Sequence, residues 1–304
     1  VWMPHARIIA DIRDIVWEYL DDSTPWQRLT KRIIRWVMVN SLQRCELIVV
    51  TNEAEKATLE KVLPAQQIML VSNGISRCRY AAVADLTPPE YSGVLKVLVC
   101  GNIGKVLDLQ VLMLAVKDRQ DIEVEVVGGG NELASLRQFK EQHRLKNIYF
   151  HGEQPFEKLR TYYESSHLLF LQVHPRFSIS RPVRLYEYLS TGMPVLFAGQ
   201  GQTRQFLANF ENISLTEPCS PSQLRQKLDE ISAQLRISTL KSDRKSVKIL
   251  NGFLRENLNQ EYEKIVGDLL SPSSSEKATP NGSRVGRSLL LAQHGSTHGS
   301  TPSK

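Results

Sequence analysis

Between residues 97 and 215, short apolar runs alternate with stretches of helical spacing, and that alternation restricts the chain to very few folds. The runs lie at 97–100, 122–127, 147–150, 168–173, 194–198 and 213–215. Read as continuous rather than alternating, they predict strands buried on both faces. Helical patterns fill the intervals at 107–116, 132–143, 157–165, 183–190, 203–209 and 221–235. Parallel neighbours need a long crossover, and a helix supplies it, so the expected class is α/β with a doubly wound, Rossmann-like parallel sheet. Ligands of such sheets bind beyond the carboxyl ends of the strands. Two more strands are expected at 47–50 and 67–71, the second closed by the turn pair Asn73-Gly74.

Composition narrows the class without choosing a function. With 304 residues, 41% hydrophobic and 23% charged, the chain can bury one substantial core or two modest ones. Its four cysteines, at 45, 78, 100 and 219, form no C-x-x-C pair, so neither a zinc site nor a disulfide framework is expected. The net charge is +6, of which the stretch 271–304 supplies Lys277, Arg284, Arg287 and Lys304 against Glu276. That stretch is rich in Ser, Gly, Thr and Pro, and a disordered tail is expected there. No apolar run reaches the roughly 18 residues that span a bilayer. The expectation is a cytoplasmic protein, with peripheral contact at the inner face of the plasma membrane left open.

Three segments carry candidate chemistry. Gly101-Asn102-Ile103-Gly104-Lys105 follows an expected strand and precedes an expected helix. Glycines admit a ligand close to backbone N–H groups and Lys105 adds a point charge, which suits a diphosphate. A tight turn with a solvated lysine is the competing reading. Val126-Val127-Gly128-Gly129-Gly130-Asn131-Glu132 is a second glycine-rich strand end. A dinucleotide enzyme would carry an acid there for the ribose, and Gly128 stands in its place, which argues against NAD. The third runs Arg181-Pro182-Val183-Arg184-Leu185-Tyr186-Glu187-Tyr188-Leu189-Ser190-Thr191-Gly192-Met193-Pro194. Here Pro182 opens a helix, Arg184 and Glu187 lie one turn apart, and Gly-x-Pro stops the helix before an apolar strand. His174 and Arg176 stand in the loop ahead of it, either reaching a ligand or serving as surface.

The third segment resembles the donor-binding region of GT-B glycosyltransferases of the GT4 group (glycosyl transferases group 1). Phe177, Ile179, Pro182, Arg184, Leu185, Tyr186, Glu187 and Tyr188 match a variant found in the branch that builds bacterial surface polysaccharides. The Gly101–Lys105 turn resembles that branch's diphosphate site. The resemblance implies that Glu187 grips the ribose of a UDP- or GDP-linked sugar, with Gly101, Asn102, Gly104, Lys105 and Arg184 at the diphosphate. Gly128 and Gly129 then form the wall near base and ribose, His174 lies beside the donor, and Pro182 and Tyr186 belong to the binding helix. Ile179 occupies the position of a second family glutamate beside the sugar. Lys105 and Arg184 are the expected catalytic pair, with no metal and no cofactor.

Upstream, Asp11-Ile12-Arg13-Asp14 and Val71-Ser72-Asn73-Gly74-Ile75 resemble family motifs inside and after the acceptor domain. The implied division is a partial acceptor-side α/β domain at 1–75, a nucleotide-sugar domain at 76–235, closing helices at 236–270 and the tail at 271–304. Residues 30–44 read as a basic amphipathic helix, either packed on the first sheet or meeting a membrane surface. Basic residues there are not clustered with aromatics in the manner of nucleic-acid sites, and no nucleic-acid partner is expected.

The implied reaction is sugar transfer from a nucleoside diphosphate to a glycan or lipid-linked acceptor with retention of configuration. The alternative is a nucleotide-binding fragment without activity. A sugar-nucleotide epimerase or dehydrogenase ranks lower, since no tyrosine has a lysine four residues on. Replacing Glu187 by alanine is expected to weaken nucleotide binding and leave the fold intact.

Overall fold

The structure is a computed structural model that describes residues 7–84, 86–237, 250–270 and 290–292. It divides into two compact units, Val1–Val71 with Ile265–Lys304, and Ser72–Lys264.

In the first unit, strands β1 (Ile8–Ile12), β2 (Leu47–Val50) and β3 (Ile68–Leu70) pair in parallel in that order. Between them run helices α1 (Val16–Tyr19), α2 (Pro25–Leu42) and α3 (Glu53–Glu60). Helix α2 starts where a capping box predicts. Thr24 accepts from the Gln27 N–H, Gln27 reaches back to the Thr24 N–H, and Pro25 follows the cap. Strand β2 is buried along its whole length, as its uninterrupted Leu-Ile-Val-Val requires.

The second unit opens with α4 (Arg77–Val83) and then alternates strand and helix six times. The order is β4 (Leu95–Cys100), α5 (Gln110–Ala115), β5 (Ile122–Val127), α6 (Leu133–Gln142), β6 (Ile148–Gly152), α7 (Phe156–Glu164), β7 (Leu168–Gln172), α8 (Val183–Thr191), β8 (Val195–Ala198), α9 (Gly201–Leu207), β9 (Ile213–Thr216) and α10 (Pro221–Arg236). A further helix, α11 (Arg255–Leu270), follows a short 3-10 turn at Leu250–Phe253. The six strands lie in the order β6-β5-β4-β7-β8-β9, all parallel. That is the doubly wound α/β sheet expected, and its winding reverses between β4 and β7.

The strand reading needs one correction. Only the inner strands β4, β7 and β8 are buried on both faces or nearly so. β5 alternates, with Glu123 and Glu125 on its less covered side, and the edge strands β6 and β9 are only partly buried. A sheet covers its centre with helices before its rims, so continuous apolar runs mark the centre alone.

Helix α8 shows how sequence positions a buried element. Seven of its residues, Leu185 through Thr191, are buried. Gly192 ends it at φ 69°, a left-handed cap that a side chain would strain, and β8 follows three residues later. Tyr188 Oη accepts from the Cys100 N–H at 2.7 Å, which fixes α8 against the carboxyl end of β4.

The expected tail at 271–304 needs a second correction, because Leu290–Ala292 forms a strand, β10, paired in parallel with β1. Its other residues, and 238–249 of the expected closing helices, lie outside the described residues.

Candidate functional site

The loops that follow β4 and β7 leave the sheet on either side of its switch point. Backbone and side-chain hydrogen bonds draw them together. The His174 N–H donates to the Val106 carbonyl at 2.8 Å. Buried Gln172 sends its amide to the carbonyls of Leu107 and Asp108 at 3.0 and 2.9 Å. The loop after β4 is also laced to the loop after β5. Gly101 and Ile103 donate to Val127 and Gly129, and Glu132 donates to Ile103. A Cβ on Gly128 would sit 1.8 Å from the Gly101 carbonyl oxygen, so glycine is required there for backbone to approach backbone. Gly128 therefore acts in packing. Beside it, Gly129 faces the Glu153 carboxylate, which a Cβ would strike at 2.3 Å.

Between these loops lies a cleft of about 250 Å³, lined among others by Gly104, Lys105, Asp108, Glu132, His174 and Arg176. The side chains of one lysine, one arginine and two acidic residues face the same space, and backbone of the glycine turn forms part of its wall. Such a lining can hold an anion through Lys105 and Arg176 while Asp108 and Glu132 accept from hydroxyl groups. His174 Nδ1 accepts from the Arg176 N–H at 3.2 Å, which leaves Nε2 as the ring's other polar atom. The helix expected from residue 107 begins only at Gln110, because a turn occupies the intervening residues and Asp108 takes φ 40°. The wall beside Lys105 is thus turn backbone and not the first turn of a helix.

Asp108, His174 and Cys219 bring an oxygen, a nitrogen and a sulfur within 4.8 Å of one another. Cys219 Sγ donates to Asp108 Oδ2 at 3.6 Å. Burial, then the Asp108 charge, raises the thiol above its ordinary value, so the pair rests as a thiol–carboxylate hydrogen bond.

Glu187 and Arg184 form a second group. Glu187 is 4% exposed. Its Oε1 accepts from Tyr163 Oη at 2.6 Å and from Arg184 Nη1, and Arg79 Nη1 stands 3.7 Å from Oε2. Arg184 Nε lies 3.2 Å from where a Gly101 Cβ would be, so this group abuts the start of the same glycine turn. Burial works against the Arg184 charge, yet Tyr163, Glu187 and Tyr188 around it hold its pKa above the ordinary value. Burial also pushes the Cys100 thiol up to about 12 and the Tyr163 phenol well above its usual range. Tyr163 is therefore a hydrogen-bond donor at any physiological pH.

The predicted residues sort accordingly. Gly104, Lys105 and His174 line the cleft. Gly101 and Arg184 meet beside it, and Asn102 Oδ1 packs toward Gly130. Ile179 and Pro182 are half-buried in the loop before α8 and do not line the cleft. Tyr186 is a correction: it is wholly buried, its ring 5.1 Å from Phe253, so it is a core residue. Glu187 also pairs with the partly buried Arg184, which gives it a structural contact besides any contact with ligand. Sequence reasoning missed Tyr163, Gln172, Asp108 and Arg79. None sits in a local motif, and only the polar residue in the apolar run at 168–173 hinted at Gln172.

Residues 88–238 match the family described as Glycosyl transferases group 1. No curated protein matches the chain in sequence. Among solved structures, the chain is similar to sucrose-phosphate synthase from Thermosynechococcus elongatus, with TM-score 0.69 and 17% identity over 86% of this chain and 67% of that one. It is similar to Anabaena HepE in complex with UDP and glucose, with TM-score 0.65 and 15% identity over 86% and 71%. A mutant of S. aureus TarM, in complex with Fondaparinux, alpha-GlcNAc-glycerol and UDP, gives 0.65 and 12% over 86% and 51%, so the chain spans about half of TarM. At these identities the likeness establishes the fold alone, a mixed α/β fold of the GT-B type with parallel sheets and one Rossmann-like domain.

Proposed function

We infer from the group 1 glycosyltransferase domain at residues 88–238 that this chain takes a nucleoside-diphosphate sugar as donor and transfers its sugar to a glycan or lipid-linked acceptor. The observation that carries the reading is placement. The cleft with Lys105, His174 and Arg176 lies where the loops after β4 and β7 converge at the switch point, the position at which doubly wound sheets hold nucleotides. HepE and TarM are described with UDP, which supports the same donor class here.

Lys105 and Arg176 neutralise the diphosphate, which is also the leaving group. Positive charge fixed at that point favours the transition state more than the ground state, because charge accumulates there as the glycosidic bond breaks. Asp108 and Glu132 accept from sugar or ribose hydroxyls. Glu187, held by Tyr163 and Arg184, meets the ribose at the mouth of the Gly101 turn. Retention of configuration and a metal-free reaction belong to the same proposal. So does the GT4-like assignment to the branch making surface polysaccharides.

A second reading, donor binding without transfer, is supported by the fact that every residue of the cleft comes from Ser72–Lys264. That unit supplies nothing identified as an acceptor site.

Calorimetric titration with UDP, GDP, ADP and the matching nucleosides tests the donor site. Lys105→Ala should weaken the preferred diphosphate at least tenfold and barely change its nucleoside, since only an ionic contact of about 1.5–3 kcal/mol is lost. Equal losses for both would show that Lys105 is structural, and no binding of any diphosphate would end the donor reading. Release of labelled sugar to acceptor, measured on the same protein, separates the two readings.

A further inference from the structure

Helix α2 (Pro25–Leu42) carries its apolar stripe on the wrong side for a helix that only packs on its own sheet. Gln27, Lys31, Ile34 and Met38 are half-buried and Leu42 is buried, spaced three and four apart along one face, and Val39 and Asn40 near the C-terminal end are half-buried as well. The opposite face bears Trp26, Leu29, Ile33, Trp36 and Val37, all exposed, with Trp26 at 79%, Trp36 at 67% and Ile33 at 52%. At 100° per residue these five fall within an arc of about 100° that points away from the packing face. Isolated exposed apolar residues are ordinary, but two tryptophans and three aliphatic residues in register form a patch that water disfavours.

The charge on the same helix says what covers it. Its 18 residues contain Arg28, Lys31, Arg32 and Arg35 and no acid. Lys31 is paired with Asp22, and Arg28 reaches the carbonyls of Asp22 and Ser23. Arg32 and Arg35 are both exposed, Arg32 at the edge of the stripe and Arg35 farther round toward the packing face. A helix with four cations and no acid complements an anionic surface, and the boundary of an anionic bilayer accommodates its indole rings and its guanidinium groups together. Indole rings settle at headgroup depth, aliphatic side chains enter the acyl region, and guanidinium groups meet lipid phosphate. Among the described residues no helix is long and apolar enough to cross a membrane, so this helix lies in the interface plane and does not span it.

We propose that the Trp26–Leu29–Ile33–Trp36–Val37 stripe of α2, with Arg32 at its edge, docks on an anionic lipid surface. The proposal is independent of the donor site and goes beyond it, fixing which face of the chain meets the membrane.

The test is sedimentation of the full chain with vesicles of phosphatidylcholine alone or with phosphatidylglycerol, combined with quenching by bromine-labelled lipid. The chain has four tryptophans, of which Trp17 is buried, so quenching that disappears in Trp26→Phe/Trp36→Phe reports the stripe itself. Expected are binding to anionic vesicles that falls as salt rises, weak binding to neutral ones, and a loss of at least tenfold in Ile33→Glu with unchanged circular dichroism. Should Ile33→Glu misfold, Arg32→Gln/Arg35→Gln gives the second reading, a smaller loss confined to low salt. Equal binding by Ile33→Glu and the parent, unquenched fluorescence, or equal affinity for neutral vesicles would each overturn the proposal. So would a dimer in solution that Ile33→Glu dissociates while vesicles leave the chain unbound, since the stripe would then join two copies.

Discussion

Glu187 has a structural duty before it meets any ligand. Glu187 is itself 4% exposed and accepts from Tyr163 and Arg184, so removing it leaves the partly buried Arg184 without its nearest counter-ion. Breaking such a pair from one side costs about 3 kcal/mol or more. Glu187→Ala should therefore lower stability to urea by that order, and a change within the roughly 0.5 kcal/mol of ordinary surface substitutions would show that the pair holds nothing. Tyr163→Phe separates the duties, since it removes one hydrogen bond and strands no cation. It should cost about 1–2 kcal/mol and weaken nucleotide binding only through the loosened carboxylate. Arg79, half exposed at 3.7 Å, adds little to either effect. Glu187 was legible in the sequence because cap, carboxylate and stop signal are neighbours along one helix. Tyr163 was not, because it lies 24 residues away on α7 and meets Glu187 only after the strand between them has crossed the sheet.

Among the elements, α3 (Glu53–Glu60) carries the clearest pH signature. Asn52 caps it by accepting from the Ala54 and Glu55 N–H groups, and Glu55 Oε2 turns back to accept from the Thr51 N–H and hydroxyl. Burial raises the Glu55 carboxyl to about 7, against the opposing pull of the Thr51 donors and with a further push from Asp14. The folded chain thus binds this proton more tightly than the unfolded chain, whose carboxyl titrates at 4.5. Its contribution is complete below pH 4.5 and is lost as pH rises through about 7. Stability of the first unit should fall across that window by an amount on the order of 3 kcal/mol, and Glu55→Gln should flatten the fall. Parallel pH profiles for the two proteins would contradict the assignment. Element identity was otherwise readable from periodicity, and each of the six predicted strands of the second unit is present. The misplaced start of α5 goes with Asp108, whose φ of 40° lies outside the helical region while Gln172 from β7 pins the Leu107 and Asp108 carbonyls.

For the molecule as a whole, the two units make separable predictions. All residues of the candidate donor site belong to Ser72–Lys264, whose sheet forms one apolar core of its own. Residues 72–270 expressed alone should then bind the preferred nucleoside diphosphate with the affinity of the full chain, as titration would measure. A large loss would mean that the first unit contributes to the donor site. Sequence alone determined the alternation of strand and helix, the start and stop of α8, and the glycine turns, because these depend on residues within one or two turns of each other. It also marked Glu187 and Lys105 as candidates through their place at strand and helix ends. Only the tertiary structure separated those two into adjacent groups, placed Tyr186 in the core, showed that Gly128 is needed for close backbone approach, and revealed that an apolar face of α2 turns outward. Burial and partner choice at those positions depend on residues distant in the chain, and no local pattern contains that information.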